Sequence, residues 1–388
     1  MKKIFGAFLL FFMSANSVLA ADLEVAGWIP WWQDTMGTES ASRQIDKLDT
    51  IYPFVYEMSS IGIPVDRGDM TEEKWQDLFD DARENGVDVI PSILWTDGAE
   101  IHKVLSNSAW RALHVEIIAR FVEAGDFDGI NIDYESKLSD TKDYFSLFLK
   151  ELNARLDDKL LTCTVEARMP PENRWRDVPA NIQYANDYKE MAKHCDVIEV
   201  MAYDQQRADL LMNDERKGEP YIPVADVEWV EMVVELALED IPAEKIMLGV
   251  PTYGRQWTLS VAPEWYKEYK GVGALNQPDA EELADDYDKE IGRNAAGEAS
   301  YTFFPDSSPF KILEVLPVPE GTRTGFEASA KALLFADMTG MTVPVNIVWF
   351  SDAEAVADKV ELAKDLGLKG VALFKIDGEE DQKIWNLF

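Results

Sequence analysis

Asp128-Gly129-Ile130-Asn131-Ile132-Asp133-Tyr134-Glu135 is the stretch on which the reading of this chain turns. In a strand, successive side chains point to opposite faces. Ile130, Ile132 and Tyr134 then share one face, and Asn131, Asp133 and Glu135 share the other. In a barrel, the apolar face packs under surrounding helices and the polar face lines the interior. Barrel interiors are ordinarily filled by branched apolar residues, with reactive groups at the C-terminal ends of the strands. Three polar side chains in file toward that end cost free energy unless partners or chemistry engage them. Alternation alone leaves open a buried polar network without chemistry. A solvated loop does not fit the two isoleucines.

Working outward, β-branched runs alternate with helix-periodic segments. Strands are expected over 24–31, 50–56, 88–94, 129–134, 161–166, 197–203, 245–251 and 370–376. Helices are expected over 72–85, 108–124, 141–156, 184–193, 227–238 and 353–366. In the last of these, Val356, Val360 and Ala363 recur at helical spacing and Gly367 supplies a stop. Eight strands followed mostly by helices predict an α/β fold of the (β/α)8 TIM-barrel type. The rhythm breaks over 257–345, where turn clusters such as Pro305-Asp306-Ser307-Ser308-Pro309, an acidic helix near 281–291 and a strand-like 301–304 suggest a small α+β insertion. The barrel is thus expected in two parts, 21–256 and 346–388, with the insertion between its seventh and eighth strands. The piece 315–341 has no clear placement.

Residues 1–20 have the layout of a signal peptide: Lys2 and Lys3, an apolar run from Ile4 to Met13, then Val18-Leu19-Ala20 before cleavage near Ala20/Ala21. The mature protein is expected to be secreted or periplasmic. No later stretch is long and apolar enough to span a bilayer. With 72 acidic against 37 basic residues and a formal net charge of −35, the surface repels nucleic acid and anionic lipid, and a neutral substrate fits it better. The bulk of that charge reads as plain solubility, or as adaptation to a salty habitat where self-repulsion is screened. Cys163 and Cys195 fall on or beside neighbouring expected strands, so export permits a bridge whose geometry sequence does not test. Two cysteines and three histidines suggest no zinc-like cluster, and no metal or other cofactor is expected.

The pattern Asp-Gly-x-x-x-Asp-x-Glu at residues 128–135 resembles the signature of glycoside hydrolase family 18, which includes chitinases and endo-acting N-acetylglucosaminidases. Gly27-Trp28-Ile29-Pro30-Trp31-Trp32 and Pro53-Phe54-Val55-Tyr56 are similar to the first two strands of its bacterial spore-germination and cortex-lytic branch. Met201-Ala202-Tyr203-Asp204 resembles the sixth-strand motif and Gly249-Val250-Pro251-Thr252-Tyr253-Gly254-Arg255 the seventh. The run from Val348-Trp349-Phe350-Ser351-Asp352 to Gly378-Glu379-Glu380-Asp381 is similar to the branch's closing helix and strand.

The resemblance implies substrate-assisted hydrolysis with retention, in which the sugar's own 2-acetamido carbonyl attacks the anomeric carbon and the two-carboxylate scheme does not apply. Glu135 would be the acid, Asp133 would orient the acetamido group, and Tyr203 and Asp204 would hold it from the sixth strand. Sugar faces stack on aromatic rings. Trp28, Trp32, Tyr56, Trp95 and Trp257 are therefore substrate-binding candidates, with Asn131, Met201 and Phe374. Arg255 is expected to pair with a carboxylate. Two residues depart from the family pattern: Asn131 stands where many chitinases have Asp, and Phe374 where the family usually has Trp. Glu166 is an inward carboxylate without a family role. The expected partner is an N-acetylglucosamine-containing oligo- or polysaccharide, acted on by a monomer. The alternative is a lectin-like glycan-binding protein on the same fold, against which the retained Glu135 speaks.

Overall fold

The computed structural model describes residues 23–388; the signal peptide expected over 1–20 lies outside the described residues. Eight parallel strands form the barrel: β1 (Glu24–Pro30), β2 (Thr50–Met58), β3 (Ser92–Trp95), β4 (Gly129–Tyr134), β5 (Leu160–Glu166), β6 (Val197–Met201), β7 (Ile246–Pro251) and β8 (Gly370–Phe374). Each pairs with its neighbours in chain order, and β8 closes on β1. The expected (β/α)8 barrel is what the chain forms.

Two apolar layers follow from strand alternation. The outward residues Ile130, Ile132, Leu161, Val165, Ile198 and Val200 join a large cluster with the helices, among them Ser108–Gly125, Lys142–Leu156 and Val227–Leu238. A smaller cluster fills the lumen, built from Trp28, Tyr52, Phe54, Ile90, Met247 and Ala372. Helix starts are set locally: the Asn107 side chain accepts the N–H groups of Ala109 and Trp110, and Asp352 accepts that of Ala355. Cys163, on the helix side of β5, is disulfide-bonded to Cys195, which ends the helix Tyr188–His194 just before β6.

The insertion is a five-stranded antiparallel sheet ordered Trp265–Leu275, Gly254–Ala262, Val343–Phe350, Ala299–Phe303, Gly292–Arg293. Its helices are Gln277–Asp286 and Glu327–Thr339, the latter occupying much of the unplaced 315–341. Gly254 sits opposite Phe350, so the two long strands run past the limits read at 257 and 345.

Candidate active site

The lumen is apolar on the β1, β2, β7 and β8 side and polar on the β3 to β6 side. At the centre of the polar half, Asn131 makes four hydrogen bonds. Its Oδ1 accepts from Ser92 Oγ at 2.8 Å and Thr164 Oγ1 at 3.1 Å, and its Nδ2 donates to Thr162 Oγ1 at 2.7 Å and Glu199 Oε2 at 3.1 Å. A primary amide has two donors and accepts two bonds, so this one is saturated. Glu199, fully buried on β6, also accepts the Tyr52 hydroxyl at 2.6 Å. Burial pushes its carboxyl up to about 7. Asn131 therefore lies beneath the cavity as a floor support rather than in its wall.

Above this floor a cavity of about 340 Å³ opens at the C-terminal strand ends. Asp133 and Glu135 both line it from β4. Asp133 is 4% exposed and its Oδ1 has no hydrogen-bond partner. Burial, then the Glu135 carboxylate, raises its pKa well above the usual carboxylate range. Glu135 is half-buried, and burial followed by the nearby Glu166 raises it too, against the opposing pull of Lys137. Glu166 is held in place by the Ser136 N–H on Oε1 and Asn186 Nδ2 on Oε2, each at 2.9 Å. Lys137 is buried behind these carboxylates, donating to the Tyr134 carbonyl with its Nζ 4.6 Å from the Phe145 ring centroid. The result is a cluster of acids with one buried cation, poised to bind and move a proton.

The rest of the wall is aromatic. Phe374 lies nearly parallel to Tyr203, with ring centroids 5.4 Å apart, and meets Trp28 and Phe54 edge-on at 5.9 and 6.1 Å. Trp28 is anchored by its indole N–H on Ser92 Oγ. Gly249 makes room for Tyr203, since a Cβ there would stand 2.7 Å from the Val200 carbonyl and 3.0 Å from the Tyr203 ring. Asp204 has a left-handed φ of 56°, and Arg255 grips its carboxylate with two bonds of 2.6 Å, the pairing expected for that arginine. Met201 completes this side.

The structure thus brings Glu135, Asp133, Tyr203, Asp204, Trp28, Met201 and Phe374 to one cavity. Trp32, 47% exposed, reaches its rim through an edge contact with Phe54 at 5.9 Å. Besides Asn131 beneath the floor, three candidates lie elsewhere. Tyr56 does not face the lumen: β2 carries one extra residue between the pairs Phe54↔Ser92 and Tyr56↔Ile93, and this bulge turns Tyr56 against Phe121. Trp95 shares the outward phase of Ile93, since Ser92 and Leu94 point inward, and it packs on Tyr134 and His114. Trp257 belongs to the insertion sheet, opposite Gly271 across a hairpin. Sequence reasoning missed Phe54, Leu94, Thr164 and Glu199. Glu199 was within reach, because it alternates with Met201 and Tyr203 on a strand already assigned. Among the described residues no group of three or more His, Cys, Asp and Glu side chains could hold a metal ion, and no helix is long and apolar enough to cross a membrane.

With this geometry in place, the family model "Glycosyl hydrolases family 18" matches residues 25–379. The cortical fragment-lytic enzyme of Bacillus subtilis (strain 168) is 23% identical over 287 residues, covering 71% of this chain and 53% of that protein. The chain spans about half to two thirds of the length of the first curated relatives it matches. Among solved structures, the spore cortex-lytic enzyme SleL of Bacillus megaterium QM B1551 superposes with a TM-score of 0.67 at 19% identity, over 94% of this chain and 73% of that one. A chitinase from Chromobacterium violaceum ATCC 12472 gives 0.68 at 18% identity, over 94% and 97%. These two likenesses speak to the fold. By the match over nearly its whole described length, the chain belongs to the glycosyl hydrolases family 18.

Proposed function

We propose that the protein is an exported glycosidase that cleaves β-linked N-acetylglucosamine-containing glycans, of chitin-oligomer or peptidoglycan type, by substrate-assisted hydrolysis with retention. The observation that carries this reading is the pair Asp133 and Glu135 on one face of β4, opening into a cavity walled by Phe374, Tyr203 and Trp28. Export rests on the pattern of residues 2–20.

The chemistry follows from the site. An acetamido sugar lies over Phe374 with its ring face on the aromatic surface. The unpartnered Oδ1 of Asp133 accepts the acetamido N–H, which favours the ionised form of Asp133. A charged Asp133 then raises Glu135 further, so the remaining proton resides on Glu135. Glu135 delivers it to the leaving glycosidic oxygen as the acetamido carbonyl closes on the anomeric carbon. Asp133 and the Tyr203 hydroxyl stabilise the resulting oxazolinium ion. Water then opens the ring after giving its proton to Glu135, which returns the site to its starting state. Product analysis by mass spectrometry, with N-acetylglucosamine oligomers and peptidoglycan fragments, tests this. Wild type should cleave, and Glu135→Gln should bind with little change yet turn over at least about 1,000-fold more slowly. A Glu135→Gln variant with most of its activity would sink the mechanism.

A further inference from the structure

Next to the catalytic cavity, and sharing Glu166 and Ala167 with it, lies another cavity of about 470 Å³ beneath the segment 167–188. Its wall carries three cations, Lys137, Arg168 and Arg174, and one carboxylate, Glu166. That balance is the reverse of the chain's overall excess of acids. Glu166 is already engaged by Ser136 and Asn186, and the Lys137 ammonium donates to the Tyr134 carbonyl beside the Phe145 ring. The two guanidinium groups remain. Arg168, Arg174 and Arg207 are the arginines without an ion pair among the described residues, and two of them line this one cavity.

Arg168 is held in a fixed plane. Its guanidinium carbon stands 3.8 Å from the Tyr184 ring centroid and 4.0 Å from that of Tyr188, and one Nη2–H goes to the Asn186 carbonyl at 2.8 Å. Its Nε and Nη1 have no protein acceptor among the described residues. Arg174 is exposed, 5.3 Å from the Trp175 ring centroid. A planar, pre-oriented guanidinium with donors to spare matches a carboxylate geometrically, and neighbouring aromatic faces suit a sugar ring.

We propose that this cavity is a subsite for a carboxylate borne by the sugar next to the one held over Phe374. The substrate class is then an acidic acetamido glycan, such as one with lactyl ether or peptide carboxylates, rather than a wholly neutral polymer. The proposal rests on the glycosidase reading for the placement of the neighbouring sugar. The acidic surface does not oppose it at short range, since solvent screens charges beyond about 8 Å at physiological salt while a direct guanidinium contact is screened less.

The test uses the full-length protein carrying Glu135→Gln, so that binding is read without turnover. Titration calorimetry compares an alternating tetrasaccharide of N-acetylglucosamine and N-acetylmuramic acid, the same molecule with its lactyl carboxylates amidated, and chitotetraose. The carboxylated form should bind about tenfold tighter than the amidated one at low salt. Adding Arg174→Gln should lower that ratio, and adding Arg168→Gln as well should bring it toward one. Arg168→Lys, which keeps the charge but loses the planar fork, should fall between. Arg174→Gln alone guards against misfolding, because the side chain is exposed. A peptide-bearing fragment preferred over the peptide-free acid would assign the subsite to stem-peptide carboxylates; the converse would assign it to the lactyl group. A ratio of one without the arginine substitutions, or a ratio that they leave unchanged, overturns the subsite. Parallel assays of the active protein separate the two readings. Cleavage of chitotetraose without carboxylate preference retires the subsite alone, and preference in binding without cleavage of any glycan retires the hydrolase alone. No binding of any of the three retires both.

Discussion

Replacing Glu199 by Gln should change how stability depends on pH, with a sign that reverses between pH 4 and pH 8. The carboxyl is fully buried and has no cation beside it; its polar neighbours are the Tyr52 hydroxyl at 2.6 Å, the Asn131 amide at 3.1 Å and the Thr162 hydroxyl. In the unfolded chain it titrates near 4.5, and in the fold burial pushes it up to about 7. The folded state therefore keeps a proton that the unfolded chain has released. The contribution of Glu199 to stability is greatest below 4.5, falls as pH rises through this window and stays lower above 7. Full ionisation costs about 3 kcal/mol by this linkage. Glutamine does not ionise and escapes that cost. It offers one acceptor oxygen, so Tyr52 must turn its proton elsewhere and accept from the new amide, at about 1 kcal/mol. The variant should be weaker than wild type by about 1 kcal/mol at pH 4, close to it at pH 5 and stronger by about 2 kcal/mol at pH 8, near 2–3 °C in midpoint at the last. Thermal unfolding of both proteins from pH 4 to pH 8, followed by circular dichroism, reads this directly. Midpoint curves that run parallel across the range would refute the account of Glu199 as a buried, unpaired acid.

Other outcomes follow from the same geometry. Phe374→Trp enlarges the ring surface facing Tyr203 and should tighten binding of acetamido sugars about threefold; unchanged or weaker affinity in calorimetry would remove Phe374 as the floor of the sugar site. Arg255→Gln frees the Asp204 carboxylate and should lower turnover about tenfold through misplacement, while the thermal midpoint, governed by the buried layers, stays close to wild type; unaltered kcat would make the Arg255–Asp204 pair structural only. The Cys163–Cys195 bridge closes a loop of sequence separation 32. Cys163→Ala should cost about 3.5 kcal/mol, and reductant should lower the wild-type midpoint toward the variant's. A midpoint insensitive to reductant would argue against the bond in solution.

Much of this protein was decided locally. Alternation in residues 128–135 places Asp133 and Glu135 inward, and β4 bears this out because no bulge interrupts it. The same logic fails at Tyr56, where one extra residue in β2 reverses the phase, and a bulge leaves no mark in composition. It also misplaced Trp95, whose phase is set by Ser92 and Leu94 rather than by its nearness to a strand end. Sequence by itself determined the barrel, the order of its strands and the face that carries the acids, because strand periodicity and family motifs are properties of short segments. Tertiary structure alone decided which distant groups meet. Glu199 finds Tyr52 and Asn131, Glu166 is clasped by Ser136 and Asn186, and Arg168 is sandwiched by Tyr184 and Tyr188. Those partners are fixed by barrel closure and loop packing, and the energies that shift a carboxyl or orient a guanidinium come from neighbours in space rather than in sequence.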